Sequence, residues 1–196
     1  AGLSKTVSSA LEKAQLKVQR LIKKAIHEHK QEVTFTPMFP FAEGPREYQK
    51  IAFENWKQNK QVGLFAMATG TGKTITSLNC LLEVYKKTGY YKAIILVPTI
   101  TLVNQWENEC KRFRFNNIIK VYSKRPKWKS DIESLHLQER IYGGEDKVSY
   151  VVIATYASFA KDGAFDLLNS LSSRAMFIAD EAHNMGSGGI RKKLPM

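Results

Sequence analysis

One stretch constrains this chain more than any other: the apolar run Val62-Gly-Leu-Phe-Ala66 leads straight into Met67-Ala-Thr-Gly-Thr-Gly-Lys-Thr74, after which helix-forming sequence begins. Small residues let a backbone wrap an anion so that successive N–H groups point inward. The N-terminus of the helix that follows adds the positive end of its dipole. Lys73 is then placed to reach the β- and γ-phosphates of a nucleotide, and Thr74 to offer its hydroxyl to Mg²⁺. Met67 stands where the general G-x-x-x-x-G-K-T pattern has its first glycine, so Gly70 has to make the tight turn.

A phosphate loop does chemistry only if a carboxylate from a neighbouring strand holds the metal and activates water. The sequence supplies a candidate pair at Asp180-Glu-Ala-His183, directly after the apolar run Ala175-Met-Phe-Ile-Ala179. Taken alone, an acid after a strand is as readily a helix N-cap. With Lys73 upstream, Asp180 is expected to bind the water shell of Mg²⁺ and Glu181 to act as general base. His183 suits a relay between two sites better than a chemical step.

The segments around these motifs alternate. Apolar periodicity predicts helices over 45–60, 73–87, 100–112 and 164–171, and strands over 62–67, 92–97, 117–122, 149–154 and 175–179. A further helix is expected near 129–140 and a turn at Gly143-Gly144. Ala93-Ile-Ile-Leu-Val97 and Tyr150-Val-Val-Ile-Ala154 are continuously apolar, as strands covered on both faces are. The expected fold class is therefore α/β, a doubly wound parallel sheet, whose ligands gather at the carboxyl ends of the strands. Residues 3–29 place Val7, Leu11, Ala14, Val18, Leu21, Ile22, Ala25 and Ile26 at steps of three and four, which predicts an amphipathic N-terminal helical extension. The stretch from Phe35 to Pro45 holds three prolines and reads as a linker. The expected organisation is thus a helix and linker over 1–34 and a nucleotide-binding domain over 35–196.

From about residue 44 to 189 the ordered motifs resemble the superfamily-two helicases and translocases, whose acidic box takes the form D-E-A-H. That resemblance implies a RecA-like domain and an ATP-driven motor. It also implies adenine recognition by Arg46-Glu-Tyr-Gln49, with Gln49 reading the base and Arg46, Thr69, Gly70, Thr71, Gly72, Lys73 and Thr74 surrounding the nucleotide. Val97-Pro98-Thr99 and Ile153-Ala-Thr155-Tyr156 resemble motifs that grip a nucleic-acid backbone. Trp106, at helical spacing with Leu102 and Val103, reads as core packing. The Gln105-Trp106 pair and Asp-Glu-Ala-His-Asn resemble the DNA-repair and restriction branch, which favours DNA over RNA. The resemblance further implies a second RecA-like domain that supplies an arginine to the γ-phosphate. With only thirteen residues after His183, the sequence shown is expected to bind ATP and Mg²⁺ but to hydrolyse slowly.

Charge agrees with a polyanionic partner: 30 Lys and Arg against 18 Asp and Glu give +12. Eight of these cations fall between Lys111 and Lys129 with no acid among them. No apolar run approaches the roughly 18 residues a membrane-spanning helix needs, so no membrane partner is expected. Cys80 and Cys110 form no disulfide or zinc pattern, which suits a reducing, cytoplasmic setting, nucleoid-associated if the source is bacterial. The alternatives are a nucleotide-gated nucleic-acid-binding scaffold that has lost hydrolysis, an RNA helicase, or a small-molecule kinase. The last leaves Gln49, Thr99 and Thr155 unexplained.

Overall fold

The computed structural model describes residues 16–17, 36–68, 70–141, 148–161, 164, 166, 168, 171 and 175–183. The chain divides into two compact units, Ala1–Thr36 and Pro37–Met196. In the first, Leu16 and Lys17 are helical and exposed, while the rest of the expected amphipathic helix lies outside the described residues.

The second unit runs α1 (Glu47–Gln58), α2 (Lys73–Thr88), β1 (Lys92–Val97), α3 (Ile100–Arg112), β2 (Ile118–Val121), α4 (Trp128–Ile141), β3 (Tyr150–Thr155), α5 (Tyr156–Phe159) and β4 (Met176–Ala179). The four strands form one sheet in the order β2-β3-β1-β4, and every pairing is parallel. Side chains alternate across it. Ala93, Ile95, Val97, Val151 and Ile153 meet Leu78, Leu81 and Leu82 of α2 and Val103, Trp106 and Cys110 of α3 on one face. Leu96, Tyr150, Val152 and Ala154 meet Trp128, Ile132 and Leu135 of α4, with Ala164 and Leu168, on the other. Both faces being covered explains why residues 93–97 of β1 and 150–154 of β3 are continuously apolar. Among the described positions of 164–171, Ala164, Asp166 and Leu168 are helical, and the expected turn at Gly143-Gly144 lies outside the described residues.

Two sequence expectations are corrected. Residues 62–68 are not a strand. The chain leaves α1 through Lys60 and Gln61, both in the left-handed region at φ 56° and 65°. It is then held locally, with Val62 N–H on the Asn59 carbonyl and the Asn59 amide on the Val62 carbonyl. Strand propensity needs a ladder partner to be realised; without one, Val62 and Leu64 stay 69% and 78% exposed. Nor is the proline-rich stretch a free linker. Met38 N–H bonds the Phe113 carbonyl, Phe39 packs edge-on to Phe113 at 5.5 Å, and Phe41 lies under the Arg112 guanidinium at 4.9 Å, pinning the segment to the end of α3.

Lys92 is the one feature of the sheet that sequence pattern does not foresee. Its side chain is fully buried, paired with Glu139 of α4 at 2.9 Å and flanked by the rings of Tyr90 and Tyr150. Removing one member of such a pair strands the other charge in the interior. Lys92→Ala is expected to cost on the order of 3–5 kcal/mol in urea unfolding, and Lys92→Met with Glu139→Leu to recover most of that.

Burial also pushes the Cys80 thiol up to about 12, with Glu83 adding to the effect, and pushes Cys110 higher still. A thiol held neutral in the fold but ionised when unfolded contributes stability that is whole below the ordinary thiol value of 9.0. That contribution is lost as pH rises from there toward 12. The urea midpoint is therefore expected to fall between pH 8.5 and 11 in the wild type and to fall less in Cys80→Ala.

Candidate functional site

Parallel register brings the ends of three strands level. Val97 of β1 sits beside Thr155 of β3, and Leu96 sits beside Ala179 of β4. The ladder continues one residue past β4, because Asp180 N–H donates to the Leu96 carbonyl at 2.9 Å. Asp180 is thereby fixed in the sheet edge, and its carboxylate is fixed as well. Trp106 Nε1 donates to Oδ2 at 2.8 Å and the Glu181 amide donates to Oδ1 at 3.0 Å. The Tyr156 hydroxyl donates to the Asp180 carbonyl at 2.8 Å. Burial, with the Asp180 and Glu181 carboxylates nearby, pushes the Tyr156 phenol up to about 12, so it remains a donor.

Glu181 leaves the sheet with φ at 52°, a left-handed conformation that costs a non-glycine residue about 1–3 kcal/mol. The turn carries its carboxylate back toward the start of α2. Lys73 Nζ lies 3.9 Å from Glu181 Oε1, with both side chains part-exposed. His183, largely exposed, places Nδ1 at 3.5 Å from Glu181 Oε2. Residues 108 positions apart thus meet at one edge of one sheet.

Among the described residues of the loop before α2, the two glycines have the expected backbone. Gly70 and Gly72 lie at φ 81° and 87°, and Gly72 is the N-cap of α2. A Cβ on Gly72 would come to 3.5 Å from Gln49 Nε2 and 3.7 Å from the Tyr48 hydroxyl. α1 therefore backs the loop closely. Tyr48 donates its hydroxyl to the Thr71 carbonyl at 2.7 Å, and Thr71 donates its own to the Ala68 carbonyl. Gln49 is buried. Its Oε1 accepts from the Arg46 amide at 3.0 Å, and its Nε2 donates to Thr76 Oγ1 at 3.4 Å. Thr76 in turn donates to the Gly72 carbonyl. The Gln49 amide therefore braces the loop from behind, while Arg46 is exposed on its outer side. Thr74 is half-buried in the first turn of α2, and Thr69 lies outside the described residues.

The residues expected to grip nucleic acid separate into two kinds. Thr99 is exposed beside half-buried Pro98 and caps α3 by accepting from the Leu102 amide, which leaves its hydroxyl proton available. Thr155 and Tyr156 are buried. The Thr155 hydroxyl caps α5 and bonds Ser158, and that of Tyr156 is taken by Asp180, so both side chains support the edge from beneath instead of facing outward. Tyr48 and Trp106 are the participants that sequence reasoning missed. Trp106 was legible as core, and it is 2% exposed. The signal it also carried was an indole N–H, which a buried tryptophan must place on an acceptor.

Among known proteins, residues 43–194 match the family described as type III restriction enzyme, res subunit. Over 146 residues the chain is 27% identical to the DNA 3'-5' translocase XPB2 of Sulfurisphaera tokodaii, covering 74% of this chain and 26% of that protein. Its fold is similar to a nuclease-deletion mutant of the Type ISP restriction-modification enzyme LlaGI, solved in complex with a DNA substrate mimic. The TM-score is 0.59 at 28% identity, over 76% of this chain and 16% of that one. The chain thus spans about a quarter or less of the length of these relatives. The similarities bear out the superfamily-two resemblance of the repair and restriction branch and the RecA-like fold it implied.

Trp106→Phe keeps an aromatic ring in the core but removes the donor from the Asp180 carboxylate. A hydrogen bond to a charged group of this kind is worth roughly 1.5–3 kcal/mol, and a loss of that size is expected in the free energy of urea unfolding.

Proposed function

The chain belongs to the family of the type III restriction enzyme res subunit, and on that premise we propose that it is the ATP-binding motor domain of a DNA helicase or translocase, coupling ATP hydrolysis to movement on DNA in repair or restriction. The observation that carries the reading is the approach of Lys73 to Glu181 at 3.9 Å, beside an Asp180 already locked in place. A lysine at a helix N-terminus facing one carboxylate, with the carboxylate of the preceding residue fixed in place, suits both holding a metal–triphosphate and deprotonating a water.

The residues fit that ligand. Two left-handed glycines turn the loop, with open space beside Gly70 and ordinary van der Waals contact with α1 beside Gly72, and small residues of this kind let backbone amides approach an anion. Thr74 and Asp180 are the residues that would hold Mg²⁺. When bound, the ion supplies charge neutralisation for the β- and γ-phosphates. The chain's own groups do the rest. Gly72, Lys73 and Thr74 present amides and cation to the phosphates, with Gly70 turning the backbone and the Thr71 amide bonded to the Ala68 carbonyl. Trp106 and the Glu181 amide keep the Asp180 carboxylate from rotating away. In the resting arrangement Lys73 and Glu181 partly neutralise each other, and because both are part-exposed the pair is weak. A triphosphate competes for Lys73, which leaves Glu181 free to take the proton of the attacking water. His183 is placed to sense that change from the exposed side.

Arg46, exposed at the start of α1, contributes the adenine side of the site, while Tyr48 and the buried Gln49, whose hydroxyl and amide are spent within the chain, act by setting the position of the loop. Thr99 and Pro98 contribute the nucleic-acid side, carried on the neighbouring strand end. Thr155 and Tyr156 hold that edge in shape. DNA is the favoured track over RNA, and the two named relatives, one a DNA translocase and one solved with a DNA substrate mimic, support this. A cytoplasmic setting belongs to the same proposal.

The test uses ATP with Mg²⁺. Isothermal titration is expected to show binding that Lys73→Ala weakens about tenfold or more, the loss of one charge-assisted phosphate contact. Glu181→Gln is expected to retain binding and to abolish turnover measured with and without duplex DNA. Absence of ATP binding in the wild type overturns the reading, and turnover unchanged by Glu181→Gln favours the scaffold instead.

A further inference from the structure

The structure sorts seven of the eight cations between Lys111 and Lys129 into spent and unspent charge, with Arg114 standing apart at the left-handed turn after α3. Lys111 and Lys120 both pair with Glu107, at 2.8 and 2.6 Å. Arg112 pairs with Glu109 at 2.9 Å and Arg125 with Asp131 at 3.1 Å. Lys124, Lys127 and Lys129 are exposed, and no carboxylate of a described residue pairs with them. They cluster just before and within the first turn of α4, the positive end of a helix dipole, where a cation is unfavourable by a few tenths of a kcal/mol or more. Asp131, the acid of that turn, is already committed to Arg125.

This segment is also firmly built. Trp128 is buried in the core on the α4 face, Arg125 N–H bonds the Tyr122 carbonyl, and Asp131 N–H and the Ser130 hydroxyl both bond the Lys127 carbonyl. Three lysines are therefore displayed on an ordered loop and the first turn of the helix it enters. That loop follows β2, so it opens at the same carboxyl edge of the sheet as Thr99 and Asp180. With strands about 4.8 Å apart, it lies on the order of 15 Å along the edge from the nucleotide site, beyond the strand end that leads to Thr99.

We propose that Lys124, Lys127 and Lys129 form a DNA-backbone contact that extends the track from Thr99 to the outer end of the sheet edge. The proposal rests on the motor reading above. Three point charges on an ordered loop with no base-reading side chain recognise phosphates in sequence, so the contact is independent of base identity.

The test is the salt dependence of DNA binding by the full 196-residue chain, measured by fluorescence anisotropy with two duplexes of unrelated sequence. The triple variant K124Q/K127Q/K129Q is compared with K50Q/K57Q/K86Q, which removes three lysines that pair with carboxylates within α1 and α2. Each lost phosphate contact lowers the slope of log affinity against log salt by about 0.9. The loop variant is expected to flatten that slope by about 2–3 on both duplexes, and the control to leave it nearly unchanged, with circular dichroism the same for all. Equal slopes in both variants overturn the loop assignment and leave the motor reading standing. A wild type that binds ATP but no DNA at low salt overturns both. Loss of binding to anionic phosphatidylserine vesicles, with the DNA slope intact, transfers the loop to a membrane and overturns the proposal.

Discussion

A single backbone hydrogen bond, from the Asp180 amide to the Leu96 carbonyl, decides where the acidic pair of this chain sits. It carries the parallel ladder one residue beyond β4, so that the first acid after the strand is still part of the sheet. Everything else at the site is referred to that point. Trp106 reaches it from α3, Tyr156 reaches it from the end of β3, and Glu181 turns away from it toward Lys73. Because β1 and β3 are covered on both faces, the edge on which these groups converge is held by two cores instead of one.

The arrangement also shows why buried polar groups sit where they do. A tryptophan in a core needs an acceptor for its indole N–H, and here that acceptor is a carboxylate that must not swing. A tyrosine whose phenol is pushed up toward 12 stays a donor at any ordinary pH. Gln49 does the equivalent for the glycine loop, tying α1 to the first turn of α2 through Thr76 and Gly72. In each case the satisfaction of a buried polar atom and the positioning of a reactive group are the same bond.

Most of the fold was legible because hydrophobic period is a local signal. The helices at 47–58, 73–88 and 100–112 and the strands at 92–97 and 150–155 follow their apolar patterns closely. The segment 62–67 has as good a strand pattern as any of these but lacks a ladder partner, and partnership is not written in a single stretch. Spacing and chemistry pointed to Lys73, Asp180 and Glu181, and the structure brings them together. Thr155 and Tyr156 were read by resemblance as part of a motif that grips a nucleic-acid backbone; that their capping hydroxyl and buried phenol turn inward is revealed only by the packing of α5 on the sheet. The basic run was read as one cluster, but its division into paired and unpaired cations depends on Glu107, Glu109 and Asp131, all of which lie outside the run.

Glu181 occupies a backbone conformation that glycine or asparagine would adopt at less cost. Either would relieve the backbone but remove the carboxylate that lies 3.9 Å from Lys73. On the proposed motor reading, stability and turnover therefore pull in opposite directions at this position. A chain of this type that drifts toward Gly or Asn after the first acid of its box has become sturdier as a scaffold by giving up its engine.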